Sequence, residues 1–316
     1  MKTELTAMTE LHQHTWTLAQ KQAVVAGVRD LLEGDESPRA RDALALAEEV
    51  LGAHPGRGEP DSYALFRGDP LAEAALIALM VAACIRAEGL REQAVDRIAA
   101  YAKAMAGGAH WVDVLRHAAR GHGHRVTMIM ARRAPDGKRV LAAARRRHGP
   151  LVIFEIVRTI LGKTKADPEL GWYFKQLGLL PEGSVGRSFW SNMTTRKIAL
   201  PGEPGGLPEA AIHHDLVHTL TGYDTDAAGE CQIGGFYAGT LYPDWPAWIL
   251  AGLTTFELAL RVGPAFTVPT KGAFDVRRVW AAALRGYGAR FRPLDDWDYR
   301  PLMVMPLDAA RRELGI

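Results

Sequence analysis

Only two cysteines, Cys84 and Cys231, occur in 316 residues. A disulfide framework is excluded, and a reducing compartment is the expectation. Long apolar runs are scarce too. The hydrophobic uncharged runs Ala74–Ile85 and Trp245–Phe256 hold 12 residues each, against the ~18 or more that a membrane-spanning helix needs. The start, Met1-Lys2-Thr3-Glu4-Leu5, lacks the apolar stretch of a secretory signal. These features predict a cytoplasmic protein, with peripheral contact to the inner face of the membrane as an option. There is no GxGxxG and no GxSxG, so dinucleotide-binding and nucleophile-elbow readings lose their usual support. Gly162-Lys163-Thr164 is no phosphate loop, because Val157 stands where such a loop needs its first glycine.

What is present reads as a globular helical protein. The chain is 48% hydrophobic and 23% charged, which excludes wholesale disorder. At this length ~75% of the unfolded surface can be buried, enough for one large domain or two ordinary ones. The net charge of +2 hides an asymmetry, because Arg116–Arg147 holds ten Lys or Arg and one acid, Asp136. Outside that stretch 28 basic residues face 35 acidic ones. Such a basic zone attracts anionic surfaces. A membrane surface is one reading and a solvated helix face another. Nucleic acid is not expected, since no recognition module accompanies the charge.

Helical punctuation runs through the N-terminal half. Val24, Val25, Val28, Leu31 and Leu32 share one helical face, stopped by Gly34. Further helices are predicted over Ala40–Leu51, Leu71–Ala87, Arg91–Ala106 and His110–Ala119, with a Gly/Pro-rich loop over 53–68. Gly149-Pro150 marks a boundary between domains 1–149 and 150–316. No strand alternation is sustained, and Ser188–Leu207 is the best candidate for irregular or short β structure. The expected fold is therefore all-α: two packed helical domains with at most a short β element between them.

One segment carries chemistry. Between Pro208 and Gly222, which suit a helix start and stop, His214 and His218 stand four apart and Asp215 stands three before His218. At 3.6 residues per turn the three share a face. A short turn then leads to a second helix. An antiparallel return would bring Glu230, expected about two turns in, opposite the histidines. Two imidazoles and two carboxylates form a mixed N/O set that suits Zn²⁺, with Fe²⁺ and Mn²⁺ as alternatives. Alternatively, the histidines are buried polar residues of an amphipathic helix.

The pattern His214-Asp215-x-x-His218-x₁₁-Glu230 resembles the signature of the coenzyme Q biosynthesis protein 4 family. Leu180-Pro181-Glu182-Gly183-Ser184-Val185-Gly186-Arg187 is similar to a second segment of that family. Trp297, Pro301-Leu302 and the terminal Arg311–Ile316 are similar to its tail. The resemblance spans roughly 175–316. It implies an all-helical fold with Zn²⁺ on His214, Asp215, His218 and Glu230, isoprenoid-lipid binding at a membrane surface, and a role in ubiquinone biosynthesis. There it implies organisation of an enzyme complex and oxidative decarboxylation at C1 of a prenylated hydroxybenzoate. A non-catalytic lipid carrier or scaffold, and an enzyme for another aromatic or isoprenoid metabolite, remain alternatives. Partners would then include quinone-biosynthesis enzymes and a second copy of the chain. Residues 72–106 resemble, more weakly, the helical domain of tellurite-resistance protein B, whose acidic loop residues are mostly replaced here.

The helix bearing Glu230 contains Gly229, Gly234, Gly235 and Gly239. Each glycine inside a helix costs ~1 kcal/mol against alanine, so close packing or a ligand against backbone is expected. Gly235-x-x-x-Gly239 is the small-x-x-x-small form that permits near approach. Phe236, Tyr237 and Trp248, with Tyr242, Trp245 and Phe256 nearby, are read either as the walls of an isoprenoid slot or as ordinary core. Arg187 is read either as a bidentate holder of an anionic headgroup or as a helix cap.

Overall fold

The structure is a computed structural model describing residues 16–133 except 57, 58 and 70, with 166–206, 212–241, 246–261, 268–292 and 298–316, and residues 142, 145, 146, 149, 151 and 209. The fold is all-α. Among the described residues there is no strand, only two isolated antiparallel bridges, Ser184 with Pro306 and Leu258 with Lys271.

The helices are α1 (Leu18–Leu32), α2 (Pro38–Leu51), α3 (Ala72–Cys84), α4 (Glu92–Met105), α5 (Ala109–Ala119), α6 (Gly123–Arg133), α7 (Pro168–Gln176), α8 (Val185–Thr195), α9 (Ile212–Thr221), α10 (Ala227–Thr240), α11 (Pro246–Gly252), α12 (Val276–Tyr287) and α13 (Leu307–Leu314). Local chemistry sets their ends. Thr17 and Gln20 form a reciprocal capping box on α1. Ser37 caps α2, with Pro38 in its first turn. Gly52 closes α2 in the left-handed conformation at φ 58°. The sequence expectation for Ser188–Leu207 is only half met. Most of its first part is α8, because the Ser184 hydroxyl accepts the Arg187 N–H at 3.2 Å and starts a helix. Irregular backbone begins only at Lys197, at φ 57°, and continues through Gly202 and Gly205.

Contacts divide the chain into two compact units. Unit 1 gathers α1–α6 with α10–α12, and unit 2 gathers α7, α8, α9 and α13. A single cut near Gly149-Pro150 does not describe this division, because α10–α12 side with the N-terminal helices. The reason is packing: α11 lies against α3, and α12 lies against both α2 and α10.

The glycines of α10 are explained by that last contact. A Cβ on Gly235 would strike the Val279 carbonyl oxygen, one on Gly239 the Ala283 carbonyl oxygen, and one on Gly286 of α12 the Phe236 carbonyl oxygen. Backbone meets backbone here, so no side chain can move aside. We therefore expect Gly239→Ala to destabilise unit 1 by about 3 kcal/mol, the upper end of ordinary overpacking costs. Thermal melting of Gly239→Ala beside Gly205→Ala checks this. Gly205 also has φ above zero, at 80°, but a Cβ there meets nothing within 4 Å, so its cost should be strain alone.

Unit 2 has its own core. Phe174, Phe189, Leu216, Tyr299 and Met303 are its centre, and Ile212, Leu216 and Leu220 place one stripe of α9 inside it.

Candidate metal centre

At about 100° per residue, His214 and His218 project from the side of α9 opposite the Ile212–Leu216–Leu220 stripe. Gly222, at φ 77°, ends the helix, and its N–H returns to the His218 carbonyl at 2.8 Å. Arg311 from the terminal helix α13 donates from Nε to the Leu220 carbonyl at 2.7 Å, which caps the negative end of α9.

The histidine rings lie 4.9 Å apart, centre to centre, at 66°. His218 is buried and His214 is half-exposed. Each has its Nδ1 beside an acceptor oxygen. His218 Nδ1 lies 3.2 Å from the Tyr223 carbonyl, and His214 Nδ1 lies 3.3 Å from Asp215 Oδ1. A carbonyl oxygen only accepts, so the neutral His218 ring carries its proton on Nδ1 and keeps a lone pair on Nε2. The Asp215 carboxylate selects the same tautomer on His214. An acceptor behind the ring is how metal-ligating histidines are oriented and made more basic.

His214 and His218 belong to unit 2, whereas Glu230 belongs to unit 1. Glu230 sits in the first turn of α10, not two turns in, because Asp226 caps that helix by accepting the Gly229 N–H at 2.7 Å. The Asp215 carboxylate stands behind His214 as an orienting group. Two imidazoles on one helix face suit Zn²⁺, which completes its shell with carboxylate or water oxygens. No thiolate competes: burial, with the charge of Glu257 added, pushes the Cys231 thiol up to about 12.

Asp215 and His218 also line a polar pocket of about 120 Å³ in unit 2. Its other walls are Asn192, Met193, Arg196 and Ile198 near the end of α8, and residues 222–225 of the turn. Asn192 Nδ2 donates to the Thr219 hydroxyl at 3.2 Å, and the Arg196 guanidinium donates to Asp224 at 2.6 Å. The sequence reading missed Arg196. It is the residue that closes α8, four after Asn192.

Arg187 does not line this pocket. Its guanidinium donates to the Gly178 carbonyl and lies 4.8 Å from the centre of the Trp190 ring. Its role in the structure is to tie the segment before α8 in place. Phe236 and Tyr237 are fully buried, and Tyr237 packs edge-on to Trp248 with ring centres 4.8 Å apart. Phe236 and Tyr237 are core, and Trp248 is half-buried. Tyr242, Trp245 and Trp297 lie outside the described residues.

An apolar cavity does exist in unit 1, with about 210 Å³ of space and different walls. They include Ala43 and Ala47 of α2, Ala74, Ala78 and Ala82 of α3, and Ala238 and Gly239 of α10, with Trp16, Phe274 and Trp280 among the larger side chains. Small residues four apart leave space along one side of α2 and of α3. In the sequence α3 looks apolar all round, so its alanine face is not distinguishable there. A dry cavity of about 150 Å³ already takes up benzene, and this one is larger.

The basic zone is partly neutralised. Arg116 pairs with Asp113 at 2.6 Å and Arg120 with Glu92 at 2.9 Å; Lys138, Arg139 and Arg147 lie outside the described residues. Among the described residues no helix is long and apolar enough to cross a membrane. Compared with the models of known protein families and with the curated proteins, the chain matches none.

Proposed function

We propose that this is a metal-dependent protein that binds a prenylated hydroxybenzoate-like molecule and promotes its oxidative decarboxylation at C1, in ubiquinone-type biosynthesis. The observation that carries the reading is the pair His214 and His218 on one face of α9, with ring centres 4.9 Å apart and both rings already oriented through Nδ1. A prenyl tail adds affinity through apolar burial, since each buried CH₂ contributes ~0.8 kcal/mol. The reaction itself is taken from the resemblance of His214–Glu230 and Leu180–Arg187 to the coenzyme Q biosynthesis protein 4 family.

In this reading His214, His218 and Glu230 hold Zn²⁺, or Fe²⁺ or Mn²⁺, which supplies Lewis acidity for charge developing on the ligand. Asp215 and the Tyr223 carbonyl keep the two imidazoles in the ligating tautomer. The remaining polar wall of the pocket binds the head. Zinc does not change oxidation state, so the electron acceptor is a separate molecule, dioxygen. Peripheral contact with a membrane and with other enzymes of the pathway belongs to the same proposal.

The size and apolar lining of the unit 1 cavity also favour a second reading, an isoprenoid-lipid carrier that turns nothing over. Incubating the purified chain with a prenylated 4-hydroxybenzoate and each metal separates the two. Carbon dioxide release by wild type and not by His218→Ala is the expected result. Ligand uptake without release under any metal makes the protein a carrier. Ala78→Phe, which fills the cavity, should abolish uptake of the prenylated compound while leaving metal content intact. Uptake at wild-type affinity would place the tail elsewhere.

A further inference from the structure

The polar pocket of unit 2 has an end that the metal reading does not use. Arg196 stands there, sharing the lining with Asp215 and His218. Its guanidinium offers five N–H groups but is tied by a single contact, Nη2 to Asp224 Oδ1 at 2.6 Å. No other side-chain partner for it occurs among the described residues. Asp224 is itself 61% exposed and shares that oxygen with the Thr225 N–H at 2.7 Å. An exposed ion pair held through one oxygen is weak, whereas a guanidinium binds an incoming carboxylate through two parallel N–H bonds.

We infer that Arg196 is the specificity-determining residue of this pocket and takes the carboxylate of a small aromatic acid, exchanging Asp224 for the ligand. Three features define the ligand class. A volume of about 120 Å³, below the ~150 Å³ cavity that takes benzene, excludes anything larger than one small ring and leaves part of that ring at the pocket mouth. The Asp215 carboxylate in the same wall repels an anion, so the charged end of the ligand lies at Arg196. The other end faces His218 and Asp215, where a phenolic hydroxyl can donate. The choice of an aromatic acid rests on the proposed function; the anion preference rests on Arg196 alone.

Calorimetric titration of the full chain with 4-hydroxybenzoate and with its uncharged amide tests this, with zinc content measured in each sample. Wild type should bind the acid at least tenfold more tightly than the amide. Arg196→Met should erase the preference without changing zinc content, Arg196→Lys should keep part of it, and Asp224→Asn should tighten acid binding several-fold by removing the competitor. A preference that survives Arg196→Met, or a wild type that binds both probes equally or neither, overturns the inference. Where Arg196→Met does not fold, Asp224→Asn decides: unchanged acid affinity overturns the exchange. An acid preference that depends on Arg196 in a protein holding no metal keeps this inference and rejects the metal centre.

Discussion

Chelating zinc from the loaded protein is expected to lower its melting temperature by on the order of 10 °C. An ion that binds only the folded state, present at about a thousand times its dissociation constant, adds about 4 kcal/mol, and each kcal/mol moves the midpoint by about 2–4 °C at this size. His218→Ala should lose the ion outright, since His218 is the buried member of the pair. Asp215→Asn should weaken metal binding by about 10- to 100-fold, the usual effect of removing a group behind a ligating histidine. Glu230→Ala should weaken it markedly, and Glu257→Ala should leave metal stoichiometry unchanged. Differential scanning calorimetry with and without chelator, beside metal analysis, reads all of these. Identical melting after complete metal removal would end the idea of an ion bound by the fold. Equal effects of Glu230→Ala and Glu257→Ala would mean the wrong carboxylate.

Glu257→Ala should instead be costly for stability. Glu257 is 4% exposed and receives both Arg39 terminal nitrogens, at 2.9 and 2.7 Å, and the Phe274 N–H at 3.2 Å. Arg39 also donates to the Phe274 carbonyl at 2.8 Å. This charge sits on a single π-helical turn, Leu253–Glu257, that follows α11. Truncating one partner of a buried pair typically costs about 3–5 kcal/mol. Arg39 is 39% exposed and can turn to water, so about 3 kcal/mol is expected here, the low end of that range. Glu257→Gln should lose less, because it keeps an acceptor for the Phe274 N–H. Urea unfolding of the two variants checks the order, and a loss under about 1 kcal/mol for Glu257→Ala would show that the pair is not held in the folded state.

Much of this molecule is legible without coordinates. The capping serines and threonines, the stop glycines and the 3.6-residue periodicity act within a few residues of themselves, so α2, α4 and α5 fall close to their expected spans. The four-residue step from His214 to His218 is local in the same sense, and it dictates that the two rings face one way. Glu230 is expected as a partner from the short turn before its helix and from the resemblance. Its position in the first turn depends on Asp226 acting as cap.

Other features have no local signature. No spacing rule announces a buried ion pair between Arg39 and Glu257, which are far apart in the chain, and nothing near Arg39 points to its acid. Arg187 looks like the headgroup arginine because it follows a glycine, yet Gly178 and Trp190 claim it, while Arg196 reaches the pocket. Sequence by itself determined the helices, their ends and the histidine face, because hydrogen bonds and side-chain direction within a helix are set by near neighbours. Tertiary structure alone decided which glycines touch backbone, which alanines face a cavity and which arginine shares a pocket with His218. Those depend on surfaces brought together from distant parts of the chain.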